Sequence, residues 1–143
     1  MNNIDDLARL LISCWCLSTE NTEYPEAIPT SHGLLDRALS NAIRDGAFQG
    51  WNQRFNFADS RIGLQCVELP DILDWAQKAQ LTDNPNPSYQ TVRVLVSQRV
   101  ASRLLRKLGV TDLDEAREWG STLRRAVTNA QDAFHITNVS VEH

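Results

Sequence analysis

The sequence predicts an α+β fold that is predominantly helical, with about five helices and a small antiparallel β-hairpin or sheet, in one globular domain over 1–143. Apolar residues recur every three or four positions along most of the chain, which is the period of amphipathic helices. Between 53 and 68 they instead alternate with polar residues, which is typical of strands. The 143 residues are 42% apolar and 22% charged, and this length and composition fit a single globular domain.

The first predicted helix, over 3–17, is apolar on both sides near its end. One side follows the helical period from Ile4 to Trp15. The other side carries the apolar residues Leu10, Ile12, Cys16 and Leu17. A helix that is apolar all round is enclosed in a core or in a subunit interface. We therefore interpret these four residues as candidate contacts of a homodimer, with enclosure by the same chain as the alternative.

Three cysteines occur in the chain, and two of them, Cys14 and Cys16, flank Trp15 in the first helix. Side chains at i and i+2 of a helix point roughly 200° apart, so these two thiols cannot share a metal ion or form a disulfide. Three cysteines without framework spacing predict free thiols in a reducing cytosol. We expect no metal and no cofactor.

The beginning of the sequence and its apolar runs also bear on location. The acidic start is unlike the basic start of a secretory signal, and no apolar run approaches the about 20 residues that span a bilayer. We therefore expect a cytoplasmic protein that has no membrane partner.

Residues 18–30 are predicted to form a long acidic loop. Pro25 and Pro29 prevent a regular helix through this segment. Its acidic residues are Glu20, Glu23 and Glu26. We interpret these glutamates as a candidate interaction loop, with a solvated connector as the alternative.

The middle of the chain is predicted to contain two helices and a hairpin. The helices span 31–45 and 70–80, and Pro70 begins the second one because its missing N–H costs nothing there. Alternating residues over 53–57 and 61–69 predict a hairpin whose loop is 58–60, with Cys66 on its apolar face.

The last third is predicted to contain a strand and two helices. The β-branched segment 91–96 favours a third strand within 90–96, while a continuous helix over 88–108 is the alternative. Helices are predicted over 98–108 and 112–130, separated by Gly109. The tail, 131–143, lacks the helical period and is expected to fray or to add a strand.

Motifs that carry catalysis are missing from the sequence. It contains no GxGxxG, GxxxxGK[ST], GxSxG, HExxH or CxxC pattern. Its three histidines, His32, His135 and His143, are scattered along the chain. We therefore do not expect an enzyme.

Charge is segregated along the chain. Residues 1–90 hold 6 basic and 12 acidic residues, whereas residues 91–125 hold 8 basic and 4 acidic residues. The overall charge of −4 gives no general attraction to DNA or to anionic lipid. The candidate interaction face consists of the basic residues Arg99, Arg103, Arg106, Lys107, Arg124 and Arg125.

Part of this basic region, 98–129, resembles a helix-turn-helix. It contains the sequence "LLRKLGVTDLDEAREWG", in which an apolar helix, a glycine turn and a second helix follow one another. The resemblance implies DNA binding, with the second helix in the major groove. The residues that would face the bases are, however, Asp112, Asp114, Glu115 and Glu118, and carboxylates repel phosphates.

These patterns favour a non-catalytic cytosolic protein-interaction module, such as a small regulator, an adaptor or an antitoxin-like inhibitor. Its partner would be another protein or a second copy of the chain in a homodimer. A DNA-binding regulator is the alternative. The two hypotheses differ in whether the six basic side chains form one exposed surface.

Overall fold

The computed structural model describes residues 4–18, 27–30, 33–61, 63–83 and 91–141, with side chains described as far as residue 132. In chain order, the elements of these residues are α1 (Ile4–Leu17), β1 (Ala27–Pro29), α2 (Leu34–Arg44), a 3-10 turn (Asn52–Arg54), β2 (Phe57–Ser60), β3 (Gly63–Cys66), α3 (Leu69–Lys78), β4 (Thr91–Arg93), α4 (Gln98–Lys107) and α5 (Leu113–Val141). The prediction of a predominantly helical α+β fold is confirmed.

Helix α1 forms the centre of the molecule. Every residue from Leu10 to Leu17 is buried, because α3, α4 and α5 all pack against this helix. Its apolar character on both sides is explained by this position, since each side has a helix of the same chain to contact.

Helices α1 and α5 cross closely at Gly120. A Cβ atom at Gly120 would overlap the backbone carbonyl of Cys14, so only glycine permits this approach. Around the crossing, Arg117 donates from Nε to the Leu17 carbonyl oxygen at 3.4 Å, and Arg124 donates from Nη2 to the Trp15 carbonyl oxygen at 3.1 Å. Both bonds run from side chains of α5 to carbonyl groups in the last turn of α1, so they join the two helices beside the crossing.

The other side of α5 packs on α2 and on the loop that follows α2. Phe48, in this loop, is fully buried and has a positive φ of 59°. A bulky residue rarely adopts this backbone conformation. Here the ring lies 6.0 Å from the ring centre of Phe55 and 5.8 Å from that of Trp119, so core packing stabilises the unusual backbone.

The predicted hairpin exists, but its first strand lies later in the chain than expected, while its second strand lies within the predicted 61–69. Strands β2 and β3 pair antiparallel from Phe57↔Cys66 to Ser60↔Gly63, so 58–60 belongs to a strand rather than to the loop. Residues 52–54 form a 3-10 turn instead of the start of a strand. The alternation of Phe55 and Phe57 extended the predicted strand too far, because Phe55 is buried in the core just before the hairpin begins.

The strand predicted within 90–96 also exists, although it does not join the hairpin. Strand β4 pairs antiparallel with β1, and the buried residues Ile28 and Val92 are directly opposite each other. Two separate two-stranded sheets therefore replace the expected single sheet. The alternative of a continuous helix over 88–108 is wrong for its described part, since β4 and a separate α4 occupy it.

Strand β1 also changes the interpretation of 18–30 as a loop, because 27–29 are part of a sheet. Residues 19–26 lie outside the described residues. At the other end of the chain, α5 continues to Val141, so the alternative of an added strand within 131–143 is wrong as far as the structure describes that segment.

Crossing a membrane requires a helix that is both long and apolar. None of the described helices combines these two properties.

Candidate interaction surface

Helix α4 places four basic side chains on its exposed face. Ser97 caps the helix by accepting a hydrogen bond from the Val100 N–H at 3.2 Å. Ala101 and Leu105 are buried against the core. The exposed basic residues are Arg99, Arg103, Arg106 and Lys107. We call these four residues the basic surface of α4.

The charges of the basic surface of α4 are not neutralised by the described residues of the chain. All the salt bridges found in the described ranges involve other basic residues, namely Arg9, Lys78, Arg93 and Arg117. Arg99 and Arg103 are four positions apart, and like charges at this spacing on a helix repel each other. An external anionic group would relieve this repulsion, so the surface is suited to attract one.

Two exposed apolar side chains accompany these charges. Val100 lies within the exposed face of α4 and is 38% exposed, while Leu95, shortly before the helix, is 48% exposed. The remaining exposed large apolar residue of the described chain is Val67, in the connection between β3 and α3. A partner of the basic surface of α4 could therefore bury apolar area as well as place carboxylates.

Arg124, the fifth residue of the predicted face, has a structural position instead. Its guanidinium stacks on the Trp15 ring, 4.5 Å from the ring centre, and its Nε donates to the Ser18 hydroxyl at 3.1 Å. Burial lowers the pKa of Arg124 below its ordinary value. This side chain holds the end of α1 and does not belong to the basic surface of α4.

Arg125, the sixth residue of the predicted face, is exposed at the junction of α5 with α2. Its Nη2 donates to the Thr122 hydroxyl at 3.4 Å, and Arg44 of α2 borders the same groove. The structure thus brings together four of the six predicted basic residues on α4 and separates the other two from them.

The acidic residues at the beginning of α5 are exposed. The carboxylate of Asp112 accepts hydrogen bonds from the N–H groups of Asp114 and Glu115, both at 3.1 Å, and so caps the helix. Asp114, Glu115 and Glu118 are exposed beyond this cap. The candidate acidic loop residues, Glu20, Glu23 and Glu26, lie outside the described residues.

The candidate dimer contacts all lie in the interior of a single chain. Leu10 and Ile12 are fully buried, Leu17 is 4% exposed and Cys16 is 7% exposed. Their contacts come from the chain's own helices, so their burial requires no second subunit. The alternative of enclosure by the same chain accounts for the sequence pattern.

All three cysteines are free and buried. The Cys16 thiol donates to the Val96 carbonyl oxygen, with Sγ and O 3.3 Å apart. Burial raises the pKa of the Cys14 and Cys16 thiols and raises that of Cys66 to about 12. Nucleophilic attack and metal binding both need the thiolate, which these environments disfavour.

Histidine, cysteine, aspartate and glutamate side chains are the usual metal ligands of proteins. Within the ranges that the structure describes, no three of them are arranged to hold a metal ion.

Two half-buried or buried carboxylates beside the hairpin were not singled out by the sequence. Glu68 accepts hydrogen bonds from the backbone N–H of Asn56 at 2.6 Å and from its side-chain amide at 2.9 Å. Asp36 of α2 accepts from the Cys66 N–H at 2.8 Å, and burial raises the pKa of this carboxyl group. Both therefore fasten the hairpin to the helices. In the sequence, the only signal for the burial of Asp36 and Glu68 is that each has apolar neighbours.

Comparisons with known protein families, with curated protein sequences and with solved structures give no match for this chain.

Proposed function

We propose that the chain is a non-catalytic protein-interaction module that binds an acidic protein surface through the basic surface of α4. The observation that carries the proposal is the set of four exposed cations without salt bridges among the described residues. Charge complementarity of this kind orients a partner and speeds its encounter.

The accompanying apolar residues favour a protein partner over a small anion. Val100 offers exposed apolar area on the same helix as the cations, and Leu95 is exposed shortly before this helix. Protein interfaces combine an apolar centre with a polar rim. A small anion would use the charges and leave this apolar area in water. An acidic segment that also carries aliphatic or aromatic side chains matches both components.

The buried titratable groups support the non-catalytic part of the proposal, because they are either engaged in structural hydrogen bonds or protonated. Asp36 and Glu68 accept hydrogen bonds from the hairpin backbone, and the thiols of Cys14 and Cys66 are protonated at neutral pH. A cytosolic location is also part of the proposal, and the free cysteines support it because thiols persist in reducing compartments.

DNA binding is the second candidate, because the same four cations could contact phosphates. Two observations disfavour it. Exposed carboxylates occupy the first turns of α5, where a recognition helix would contact bases. On the following turns, the face of α5 that carries Gly120 and Leu123 is buried against other helices, so this face cannot enter a groove.

The protein-binding proposal is tested by affinity capture from the native cell with quantitative mass spectrometry. The variant Arg103→Ala/Arg106→Ala removes two charges from the basic surface of α4. The matched control, Arg61→Ala/Lys78→Ala, removes two exposed charges elsewhere. We expect a specific partner to bind the first variant about tenfold more weakly and to bind the control normally. The tenfold change corresponds to the loss of two exposed ion pairs at about 0.7 kcal/mol each.

The DNA alternative is tested by fluorescence anisotropy with a mixed-sequence duplex at low and near-physiological salt. Our proposal predicts weak or absent binding even at low salt. Micromolar binding that falls steeply with salt and is lost in Arg103→Ala/Arg106→Ala would instead establish the DNA-binding function.

A further inference from the structure

A polar groove lies between the last turn of α2 and the middle of α5, away from the four residues of the basic surface of α4. Its volume is about 620 Å³, within the range of roughly 300–1,000 Å³ that is usual for small-ligand sites. The polar side chains that line it are Asn41, Arg44, Asp45, Thr122, Arg125 and Asn129. Asn41 and Arg44 are three positions apart on α2 and Asp45 directly follows this helix, while the α5 residues are three and four positions apart, so both helices present a polar stripe to the groove.

The charges in the groove suit an anion. Arg44 and Arg125 come from different helices, and neither forms a salt bridge with the described part of the chain. Two guanidinium groups facing one space are a common arrangement for phosphate, which they bind through paired N–H donors.

Most carbonyl groups in the last turn of α2 are occupied. The carbonyl oxygens of Asn41, Ala42 and Ile43 accept backbone hydrogen bonds from Asp45, Ala47 and Gly46 at 2.9–3.0 Å. These bonds reduce the negative potential at this end of the helix, and the two arginines supply positive charge against the remainder.

The remaining groups suit hydroxyls. Asp45 supplies a carboxylate that accepts hydrogen bonds, and the amides of Asn41 and Asn129 can both donate and accept. A bare phosphate ion would meet repulsion from Asp45 without using these amides. A hydroxyl-bearing molecule can instead turn its hydroxyl groups toward Asp45 and its phosphate toward the arginines.

We propose that this groove binds a small phosphate ester that carries hydroxyl groups, with the phosphate between Arg44 and Arg125. This site is independent of the protein-binding proposal, since none of its residues belongs to the basic surface of α4.

The test is a titration of the ¹⁵N-labelled full chain, followed by two-dimensional NMR, with ribose 5-phosphate, inorganic phosphate and ribose as separate probes. Ribose 5-phosphate is expected to bind saturably and to shift the amide signals of 41–45 and 122–129. Inorganic phosphate is expected to bind more weakly, and ribose not to bind.

Variants assign the binding to the groove. Arg44→Ala and Arg125→Ala should each lower the affinity for ribose 5-phosphate by about tenfold, because each removes charge-assisted hydrogen bonds. Asn129→Asp places a second carboxylate in the groove with little change of shape and should abolish binding. Arg103→Ala, an exposed arginine on α4, should leave the affinity unchanged.

The proposal is overturned if ribose 5-phosphate gives no saturable shifts, or if its shifts fall on α4 and disappear in Arg103→Ala. Tighter binding of inorganic phosphate than of the ester would overturn the choice of ligand class.

Discussion

At the scale of single residues, burial decides what each functional group can do. Arg124 and Arg103 have the same side chain, but one is fixed between Trp15 and Ser18 while the other is exposed on α4. The three thiols likewise lie in the interior, where ionisation is unfavourable. Chemical type alone therefore does not identify the candidate sites of this chain.

The buried thiols predict a loss of stability at alkaline pH. Burial raises the pKa of Cys66 from 9.0 to about 12, so the thiol stays protonated in the folded protein over a range in which the unfolded chain ionises. The contribution of the buried Cys66 thiol to the free energy of unfolding is fully present below pH 9. It is lost as the pH rises from 9 toward 12, at up to about 1.4 kcal/mol per pH unit.

This loss can be measured by urea unfolding at pH 8 and pH 10.5. Cys66→Ala should be less stable than the unmodified chain at pH 8 but should lose less free energy of unfolding between the two pH values. An equal loss in both proteins would show that Cys66 ionises normally when folded.

Alkylation by iodoacetamide at pH 8 should also modify the three cysteines only after unfolding.

At the scale of helices and strands, local period and capping predicted most of the fold. The helical segments around α1 to α4 and the start of α5 follow from the spacing of apolar residues, and Ser97 caps α4 as its position suggests. Strand β1 was not predicted, because three residues in a segment with Pro25 and Pro29 carry no clear alternation and depend on pairing with distant β4.

The candidate site was predicted less completely than the fold. The helical period placed Arg99, Arg103, Arg106 and Lys107 on one exposed face of α4. It could not reveal that Arg124 contacts α1, since that contact joins residues 109 positions apart. The groove between α2 and α5 was not predicted for the same reason, because each helix supplies only one of its walls.

The crossing of α1 and α5 predicts a strong effect of Gly120→Ala. The added methyl group would meet the Cys14 backbone, which cannot rotate away as a side chain could. We expect a loss of about 3 kcal/mol in the free energy of unfolding, at the upper end of the cost of overpacking, or a failure to fold.

Gly50→Ala is the matched control for Gly120→Ala in urea unfolding. Gly50 has a φ of 85° but open space around the position of a Cβ atom. This control isolates backbone strain, which costs about 1–2 kcal/mol for a residue in the left-handed region. Equal losses in the two variants would contradict a close contact between α1 and α5.

At the scale of the whole molecule, the enclosure of α1 changes the expectation for assembly. The residues of α1 that were predicted to contact a second subunit are already covered by the chain's own helices, so α1 no longer gives a reason to expect a homodimer. A dimer would have to form through another surface, and the basic surface of α4 in one copy could meet the acidic beginning of α5 in the other. Such an interface depends on charge and would be screened by salt.

Sedimentation at micromolar concentration in low and physiological salt tests this assembly. We expect a monomer at physiological salt, because exposed ion pairs contribute little and each copy has a charge of −4. A dimer at low salt that Arg103→Glu/Arg106→Glu abolishes would establish the charged interface. A dimer that persists at high salt would contradict both the expected monomer and the charged interface. Such a dimer would require an apolar interface.

The central position of α1 also determines when the chain can complete its folding. The Cys16 thiol donates a hydrogen bond to the Val96 carbonyl oxygen, 80 residues away in the sequence. The Trp15 carbonyl oxygen accepts a hydrogen bond from Arg124, 109 residues away. Contacts at such separations close large loops and slow folding relative to helical bundles with local contacts. At ordinary rates of translation, α1 is synthesised about 5–20 s before the first turns of α5. During that interval its apolar surface faces water or a chaperone, and the nascent chain is most prone to aggregate before α5 arrives.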